Sequence, residues 1–208
     1  MTVRRGDIRT KRAYGGGTLY DIGVYCINAA RNLFRAEPTH VSATSINSGL
    51  ASLSEIDETT AATLRFGNDQ VATFVTSFHA ADVAAYRIVG TRGDLHADPA
   101  YEYAEGLTYS LTIEGRTTRK TVEKRDQFAP ELLYFSDCIL EDRDPEPSGE
   151  EGLADVRIIE GMLQSISRGA PVRLDMRQRK QRPSMEQEIR SPPVPREPQL
   201  VDVKPASQ

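Results

Sequence analysis

The spacing of the apolar residues changes twice along this chain, and these changes constrain the fold more than any other feature. Over residues 18–34 apolar side chains recur every three or four positions, which is typical of an amphipathic helix. Over residues 40–123 they alternate with polar residues, as in half-buried strands. Helical spacing returns over residues 130–140 and 148–169. This order of helix, strands and helices predicts an α+β fold.

The alternating segment divides into strands at turn signals such as Gly67-Asn68-Asp69-Gln70, which favours a hairpin. The predicted strands cover residues 40–46, 59–66, 71–78, 85–89, 94–97, 107–113 and 118–123, and residues 171–174 add a short one. The regular βαβ alternation of a parallel sheet is missing. We therefore expect an open, mainly antiparallel sheet with helices packed on one face, whose other face needs a partner or a polar surface.

The predicted helices carry capping signals and apolar faces. Thr18 with Asp21 approximates a capping box, and Ser148 with Glu151 matches one. The apolar stripe of the helix over 130–140 consists of Leu132, Leu133, Phe135, Ile139 and Leu140. The predicted buried face of the last helix consists of Leu153, Val156, Ile159, Met162, Leu163 and Ile166.

These patterns place residues 1–175 in one folded domain, because the composition changes after it. From residue 177 to 208 there are seven Lys or Arg, four Asp or Glu, and six of the 12 prolines. A segment with so few large apolar residues buries too little surface to offset its ordering entropy. We therefore expect residues 176–208 to form a Pro-rich extended or disordered tail. Its Pro-Pro-Val-Pro stretch fits a polyproline II ligand, although a solvated tail is the simpler interpretation.

Composition and motifs exclude several function classes. A net charge of −4 gives no basic footprint for nucleic acid. No apolar run approaches the roughly 18 residues of a membrane span, and the basic N-terminus lacks the apolar region of a secretory signal. Cys26 and Cys138 both fall in helical patterns, which favours buried thiols in a reducing compartment and a cytoplasmic location.

Cofactor and metal motifs are also missing from the sequence. Neither G-x-G-x-x-G nor a P-loop is present, so no nucleotide-binding residues are predicted. The three histidines, His40, His79 and His96, lie in strand-like segments without the paired spacing of metal ligands. We therefore predict no metal site.

One polar ridge stands out on the first helix. Asp21 and Tyr25 are four residues apart, so they project from one helix face, which Asn28 and Asn32 continue. A carboxylate beside a phenol binds a polyol and accepts its proton if a nearby cation lowers the phenol's ordinary pKa of about 10. Taken alone, the pattern favours an ordinary amphipathic helix with a capping Asp and a packed Tyr. The preceding Gly15-Gly16-Gly17 likewise favours a flexible turn over a phosphate cradle.

A resemblance to a known family favours the functional interpretation of this ridge over an ordinary amphipathic helix. The run GGGTLYDIGVYCINAARNLFRAEPTHVSA resembles the start of the C-terminal domain of the glucose-fructose oxidoreductase/inositol dehydrogenase (Gfo/Idh/MocA) family. The similarity continues in YRIVGTRGDLHADPAY, DQFAPELLYFSDCI and EPSGEEGLADVRIIEGMLQSISRGAPVRL. It covers nearly everything from about residue 7 to residue 174, and the tail segment RPSMEQEI also looks familial.

The resemblance implies an enzyme that moves hydride between NAD or NADP and a carbon of a sugar or polyol. It makes residues 1–175 the substrate-binding and oligomerisation domain, with a homo-oligomer formed through the open sheet. In the family's D-x-G-x-[HY] signature, Asp21 would orient a substrate hydroxyl and Tyr25 would be the acid/base. Candidate substrate-binding residues are Arg9, Lys11 and Arg12, which border the site in relatives, and Asn28, which continues the ridge.

The resemblance also implies parts that this sequence does not contain. The family's N-terminal Rossmann domain binds the nucleotide and supplies a catalytic Lys. We expect the isolated chain to be inactive and unable to bind NAD or NADP by itself, because hydride transfer needs a nicotinamide held against the substrate carbon. Its catalytic partner would be a separate Rossmann domain. The alternative is a non-catalytic oligomerisation scaffold derived from the same family, motivated by strands whose two faces are both partly apolar.

Overall fold

The alternating segment of the sequence folds into antiparallel strands. The structure, a computed structural model, describes residues 6–67, 69–177, 179 and 182–189. Within this part of the chain the strands form two four-stranded sheets. The chain divides into two compact units, the first containing residues 1–80 and 146–183 and the second residues 81–145 and 184–208. The predicted α+β class and antiparallel pairing are confirmed, with the strands divided between two sheets.

The first sheet belongs to the first unit and has the order β3-β2-β1-β8. Its strands are β1 (Pro38–Ile46), β2 (Thr59–Phe66), β3 (Val71–Ser77) and the short β8 (Val172–Arg173). All neighbours pair antiparallel, and β2 and β3 form the predicted hairpin. Burial alternates along β2, because one face of the sheet packs on helices and the other does not.

Two helices cover the inner face of this sheet. Helix α1 (Val24–Phe34) contributes the fully buried Ile27, and helix α3 (Gly149–Arg168) contributes Ile158, Ile159 and Met162. The strands contribute Val41, Ala62, Leu64 and Phe66. Phe34 and Phe66 meet edge to face with ring centroids 5.0 Å apart. This apolar layer fixes both helices against the sheet.

The second unit contains the meander β4 (Tyr86–Gly90), β5 (Gly93–Ala97), β6 (Leu107–Ile113) and β7 (Arg116–Val122). Helix α2 (Phe128–Leu140) follows it, and Cys138 is the buried residue of this helix. The predicted stripe on α2 is exposed, with Leu132, Leu133, Phe135, Ile139 and Leu140 each more than half accessible to solvent. The helical prediction was correct, but its apolar residues do not form a buried face within this chain.

The start of the first predicted helix differs from a regular α-helix. Leu19–Gly23 form a π-helical turn, and α1 begins only at Val24. The predicted capping box is wrong, because the Thr18 hydroxyl donates to Thr60 Oγ1 at 3.1 Å and no side-chain cap forms. Asp21 instead accepts a hydrogen bond from Arg9. Single π-helical turns are rare and are frequently found at functional sites.

The predicted buried face of α3 was partly wrong. Ile159 and Met162 are buried, but Leu153, Val156 and Leu163 are exposed. The buried line instead includes two acids, Glu151 and Asp155. Both acids contact the buried Arg31, so α3 buries charged side chains beside its apolar ones. The capping box is also wrong, because Ser148 makes no side-chain cap and the Glu151 carboxylate is used elsewhere.

Part of the predicted tail is ordered by contacts to the first unit, since Arg179 and Arg182 are both largely buried. Residues 190–208, which contain the Pro-Pro-Val-Pro stretch, lie outside the described residues. In the residues that the structure describes, no helix is both long enough and apolar enough to cross a membrane. Cys26 and Cys138 are both free thiols, half-buried and buried respectively.

Candidate functional site

The candidate site centres on Asp21 in the π-helical turn. The Nε of Arg9 donates to Asp21 Oδ1 at 2.8 Å, across a separation of 12 residues. The Asp21 side chain is 22% exposed, so its carboxylate is within reach of solvent. The hydrogen bond to Asp21 and its negative charge raise the pKa of Arg9, which keeps the guanidinium charged beside the carboxylate.

The N-terminal loop holds Arg9 in this position. Asp7 accepts from the backbone N–H of Arg9 at 3.0 Å and lies 3.3 Å from its guanidinium Nη1. The triple glycine folds back on the same turn, with the N–H of Gly17 donating to the Arg9 carbonyl at 2.9 Å. A Cβ at Gly16 would lie 2.5 Å from that carbonyl oxygen. The glycines therefore allow close backbone packing that positions Arg9.

Tyr25 lies one turn beyond Asp21, in the first turn of α1, and 57% of the residue is exposed. Neither member of the predicted pair is sealed in the core. A carboxylate offers about four lone-pair positions, so one hydrogen bond from Arg9 leaves Asp21 able to accept from a hydroxyl of a bound polyol. The site thus combines a carboxylate, a phenol and a guanidinium at one exposed helix start.

Lys11 and Arg12 are directed elsewhere. The Nζ of Lys11 lies 2.5 Å from Glu55 Oε1, and the Nε of Arg12 donates to the Glu55 carbonyl at 3.0 Å. The hydrogen bond from Lys11 lowers the pKa of the Glu55 carboxyl. Of the three predicted basic residues, Arg9 reaches the Asp21 carboxylate, whereas the other two attach the N-terminal loop to the segment before β2.

Asn28 is exposed on α1, but its amide has a protein partner. Its Nδ2 donates to Asp155 Oδ2 on α3 at 3.3 Å. The same carboxylate accepts from Arg31 Nη1 at 2.6 Å, and the Arg31 side chain has no exposed surface. Asn28 therefore joins the ridge to a buried charged network that the sequence interpretation missed.

The centre of this network is Arg31. Its guanidinium forms a fork with Glu37, at 2.7 Å from Nε and 3.0 Å from Nη2, and also contacts Glu151 at 2.8 Å. Burial disfavours the charged guanidinium, but the hydrogen bonds that it donates to Glu37 and the charges of the nearby carboxylates outweigh burial and raise the pKa of Arg31. Burial raises the pKa of Asp155, against the opposing influence of Arg31. An ionised Asp155 is therefore costly in the folded state.

Helix periodicity places the charged residues of this network on apolar helix faces, although it does not specify which charges pair. Arg31 follows Ile27 by four residues, so it lies on the apolar side of α1. Glu151 and Asp155 are likewise four apart and precede Ile158 and Ile159 with helical spacing. Opposite charges placed on two apolar helix faces indicate a buried ion pair, since unpaired buried charges are strongly unfavourable.

Among the described residues, the glycine loop offers no open phosphate cradle and the acidic side chains form no metal cluster. The glycine loop before α1 packs on the backbone of Arg9 and Lys11, and the space beside Gly16 is filled by their backbone atoms. It therefore does not form an open phosphate cradle. Among the described residues, no group of three His, Cys, Asp or Glu side chains could hold a metal ion.

Fold and site together define a class of protein: an α+β domain with an open antiparallel sheet and an acid–phenol ridge at the start of its first helix. The model of the GFO/IDH/MocA C-terminal domain matches residues 2–96. The chain therefore contains a domain of the GFO/IDH/MocA C-terminal type.

The relatives of this chain include named sugar oxidoreductases. D-xylose 1-dehydrogenase (NADP+) from Haloarcula marismortui is 32% identical over 77% of this chain and 45% of its own length. An uncharacterized oxidoreductase of Rhizobium meliloti, ORF334, is 46% identical over 74% of this chain and 48% of its own. The aldose-aldose oxidoreductase from Caulobacter crescentus, solved with glycerol, superimposes with a TM-score of 0.77 at 31% identity, covering 83% of this chain and 52% of that one. The chain thus spans about half the length of these relatives.

Proposed function

We propose that this chain is the substrate-side domain of an NADP-dependent sugar oxidoreductase. The fold and family support this role, and the D-xylose dehydrogenase relative is named for NADP+. Because the glycine loop before α1 is filled by backbone atoms, we assign nucleotide binding to a Rossmann domain, with NAD as the alternative cofactor. Without that domain the chain would have no turnover.

The observation that carries the proposal is the Arg9–Asp21 contact at 2.8 Å beside the exposed Tyr25. In this arrangement Asp21 accepts a hydrogen bond from a substrate hydroxyl and fixes the orientation of the sugar. Tyr25 exchanges the proton of the reacting hydroxyl, and Arg9 keeps the carboxylate in place. Lys11 and Arg12 would contribute indirectly, by holding the loop that carries Arg9.

The test is to supply the full chain with the cofactor domain of a D-xylose dehydrogenase relative and to follow NADPH absorbance with aldose substrates. Restored turnover should fall about 10²- to 10⁴-fold in Tyr25→Phe, since general acid–base catalysis contributes about that much. Asp21→Asn should mainly raise KM. Tyr14→Phe, which alters another exposed phenol, is the matched control and should retain full activity.

Two results would contradict this proposal. Turnover that is unchanged in both Asp21→Asn and Tyr25→Phe would refute the site. An absence of turnover in a folded, cofactor-loaded mixture would refute the catalytic role and favour the scaffold alternative. Sugar binding to the chain alone, followed by NMR shifts at residues 9, 21 and 25, separates substrate binding from catalysis.

We also propose that the outer face of the first sheet forms a homo-oligomer. This face carries Ile46, Val71 and Val75, which are all more than half exposed. Its edge strand β3 contains no charged residue, whereas the edge strand β7 of the second sheet carries Arg116, Arg119 and Lys120. Charges on an edge strand oppose unwanted pairing, so their absence from β3 favours a partner there.

A further inference from the structure

Two arginines that follow β8 insert into the charged layer between α1 and α3. Arg179 lies 2.8 Å from Glu146 and 2.5 Å from Glu151. Arg182 lies 2.6 Å from Glu37. Their side chains are only 13% and 9% exposed, so these are buried contacts and are weakly screened by salt while they persist.

The layer is strongly acidic without these two residues. Arg31 would then be the one described cation in contact with the buried carboxylates of Glu37, Glu151 and Asp155. With Arg179 and Arg182 present, three guanidinium groups face four carboxylates. Glu37 and Glu151 each bridge Arg31 to one of the added arginines. Buried carboxylates left without partners are strongly destabilising, so the site between the helices requires added positive charge.

We propose that this acidic site binds an arginine-bearing segment. The chain's own C-terminal arm, which we define as the described residues from Asp175 to Pro183, occupies the site as an intramolecular latch. The described residues between 174 and 183 form no helix or strand, so the segment is held by side-chain contacts. Arg35 adds one more, donating to the Pro183 carbonyl at 3.0 Å. Met176 packs on the apolar core of the first unit, whereas Arg179 and Arg182 contribute charge, so the docking of these two arginines depends on ionic strength.

The latch has a consequence for α1. Arg182 donates to the backbone carbonyl of Arg31 at 3.4 Å, and Arg31 in turn holds Glu37 just after the helix. The arm thus fixes the end of the helix that carries Tyr25 and Asn28. A role of this restraint in catalysis rests on the proposed function, whereas the latch itself does not.

Hydrogen exchange read by mass spectrometry on the full chain tests the latch. In Arg179→Gln/Arg182→Gln, amides of residues 31–37 and of residues 175–177, 179 and 182 should exchange about tenfold faster or more, since hydrogen bonds to charged groups are lost. Arg177→Gln removes an exposed arginine of the same segment and should exchange like the wild type. Arg179→Lys/Arg182→Lys, which keeps the charge, should recover part of the protection.

Equal exchange in the double Gln variant and the Arg177→Gln control would overturn the latch. If the double variant does not fold, the wild type is measured from low salt to 1 M NaCl. Arm exchange should then rise while β1 and β2 stay protected, and an unchanged arm would overturn the proposal. Arm protection that appears only at high chain concentration would assign the site to the arm of a second copy. None of these readouts depends on activity, so they stand apart from the test of Asp21 and Tyr25.

Discussion

At the residue scale, the first unit contains a network of buried charges in addition to the candidate catalytic pair. Asp155 is 6% exposed and accepts from both Arg31 and Asn28. Burial nevertheless raises its pKa, which shows that the desolvation of this carboxylate outweighs the attraction of the nearby guanidinium. Ion pairs of this kind specify which helices meet more than they add net stability.

Asp155→Asn should therefore change the pH dependence of stability. A carboxyl whose folded pKa is raised stabilises the fold at low pH, and this contribution is lost as pH rises through the folded pKa. Asn keeps an acceptor for Arg31 but cannot ionise. The difference in unfolding free energy, variant minus wild type, should increase with pH above about 4, by about 1.4 kcal/mol for each unit of pKa shift, and then level off.

Urea unfolding followed by circular dichroism from pH 4 to pH 8 measures this difference. The exposed Asp175→Asn is the control, and its difference from the wild type should be small and flat across the range. A destabilisation by Asp155→Asn that grows as pH rises above about 4 would contradict this prediction, because it would show that the ionised carboxylate stabilises the fold.

At the scale of elements, the two sides of α3 meet different surroundings. Gly161 lies against the sheet, where an added Cβ would come within 2.5 Å of a Leu174 methyl and 3.2 Å of a Val41 methyl. Gly152 is in the same helix, and an added Cβ there would have no atom within 4 Å. The glycine at 161 therefore permits close packing of helix on strand, whereas the one at 152 only weakens the helix.

The two alanine substitutions should thus have opposite effects. Gly161→Ala should destabilise the chain by about 1–3 kcal/mol through overpacking, even though alanine favours the helix. Gly152→Ala should stabilise it by up to about 1 kcal/mol. Chemical denaturation measures both, and stabilisation by Gly161→Ala would mean that α3 does not lie this close to β1.

Most helices and strands could be predicted from local pattern, because periodicity is a property of neighbouring residues. Strands β2 and β6 match their predicted bounds, and the others differ by one or two residues at their ends. The buried face of α3 could not be predicted this way. Counting apolar residues places Leu153 on the buried face of α3 and Asp155 on the exposed face. In the structure Asp155 is buried instead, because it pairs with Arg31 on the neighbouring helix.

At the scale of the whole molecule, exposed apolar side chains remain on strands and helices of both units. Val75 on β3 and Val89 on β4 are 68% and 75% exposed. Exposed apolar groups on an uncharged edge strand favour association, and a charge placed there opposes it. If the chain self-associates through the first sheet, a charge at Val75 should weaken the association and a charge at Val89 should not.

Val75→Lys should shift the chain towards monomer in sedimentation velocity over a range of concentrations. Val89→Lys places the same charge on an equally exposed valine of the second sheet and should leave the sedimentation coefficient unchanged. A wild-type chain that is monomeric at the highest concentration would exclude the proposed homo-oligomer. A shift produced by Val89→Lys alone would assign the interface to the second sheet.

The sequence by itself determined the α+β class, the position of the helices and strands, the family motif and the placement of Asp21 and Tyr25 near one helix start. Each of these depends on residues close together in the chain. The tertiary structure alone decided that Arg9 reaches Asp21, that Lys11 reaches Glu55, and that Arg31 meets an aspartate 124 positions away. Charged side chains are satisfied by whichever partners the folded backbone brings within about 3 Å, and periodicity does not encode that choice.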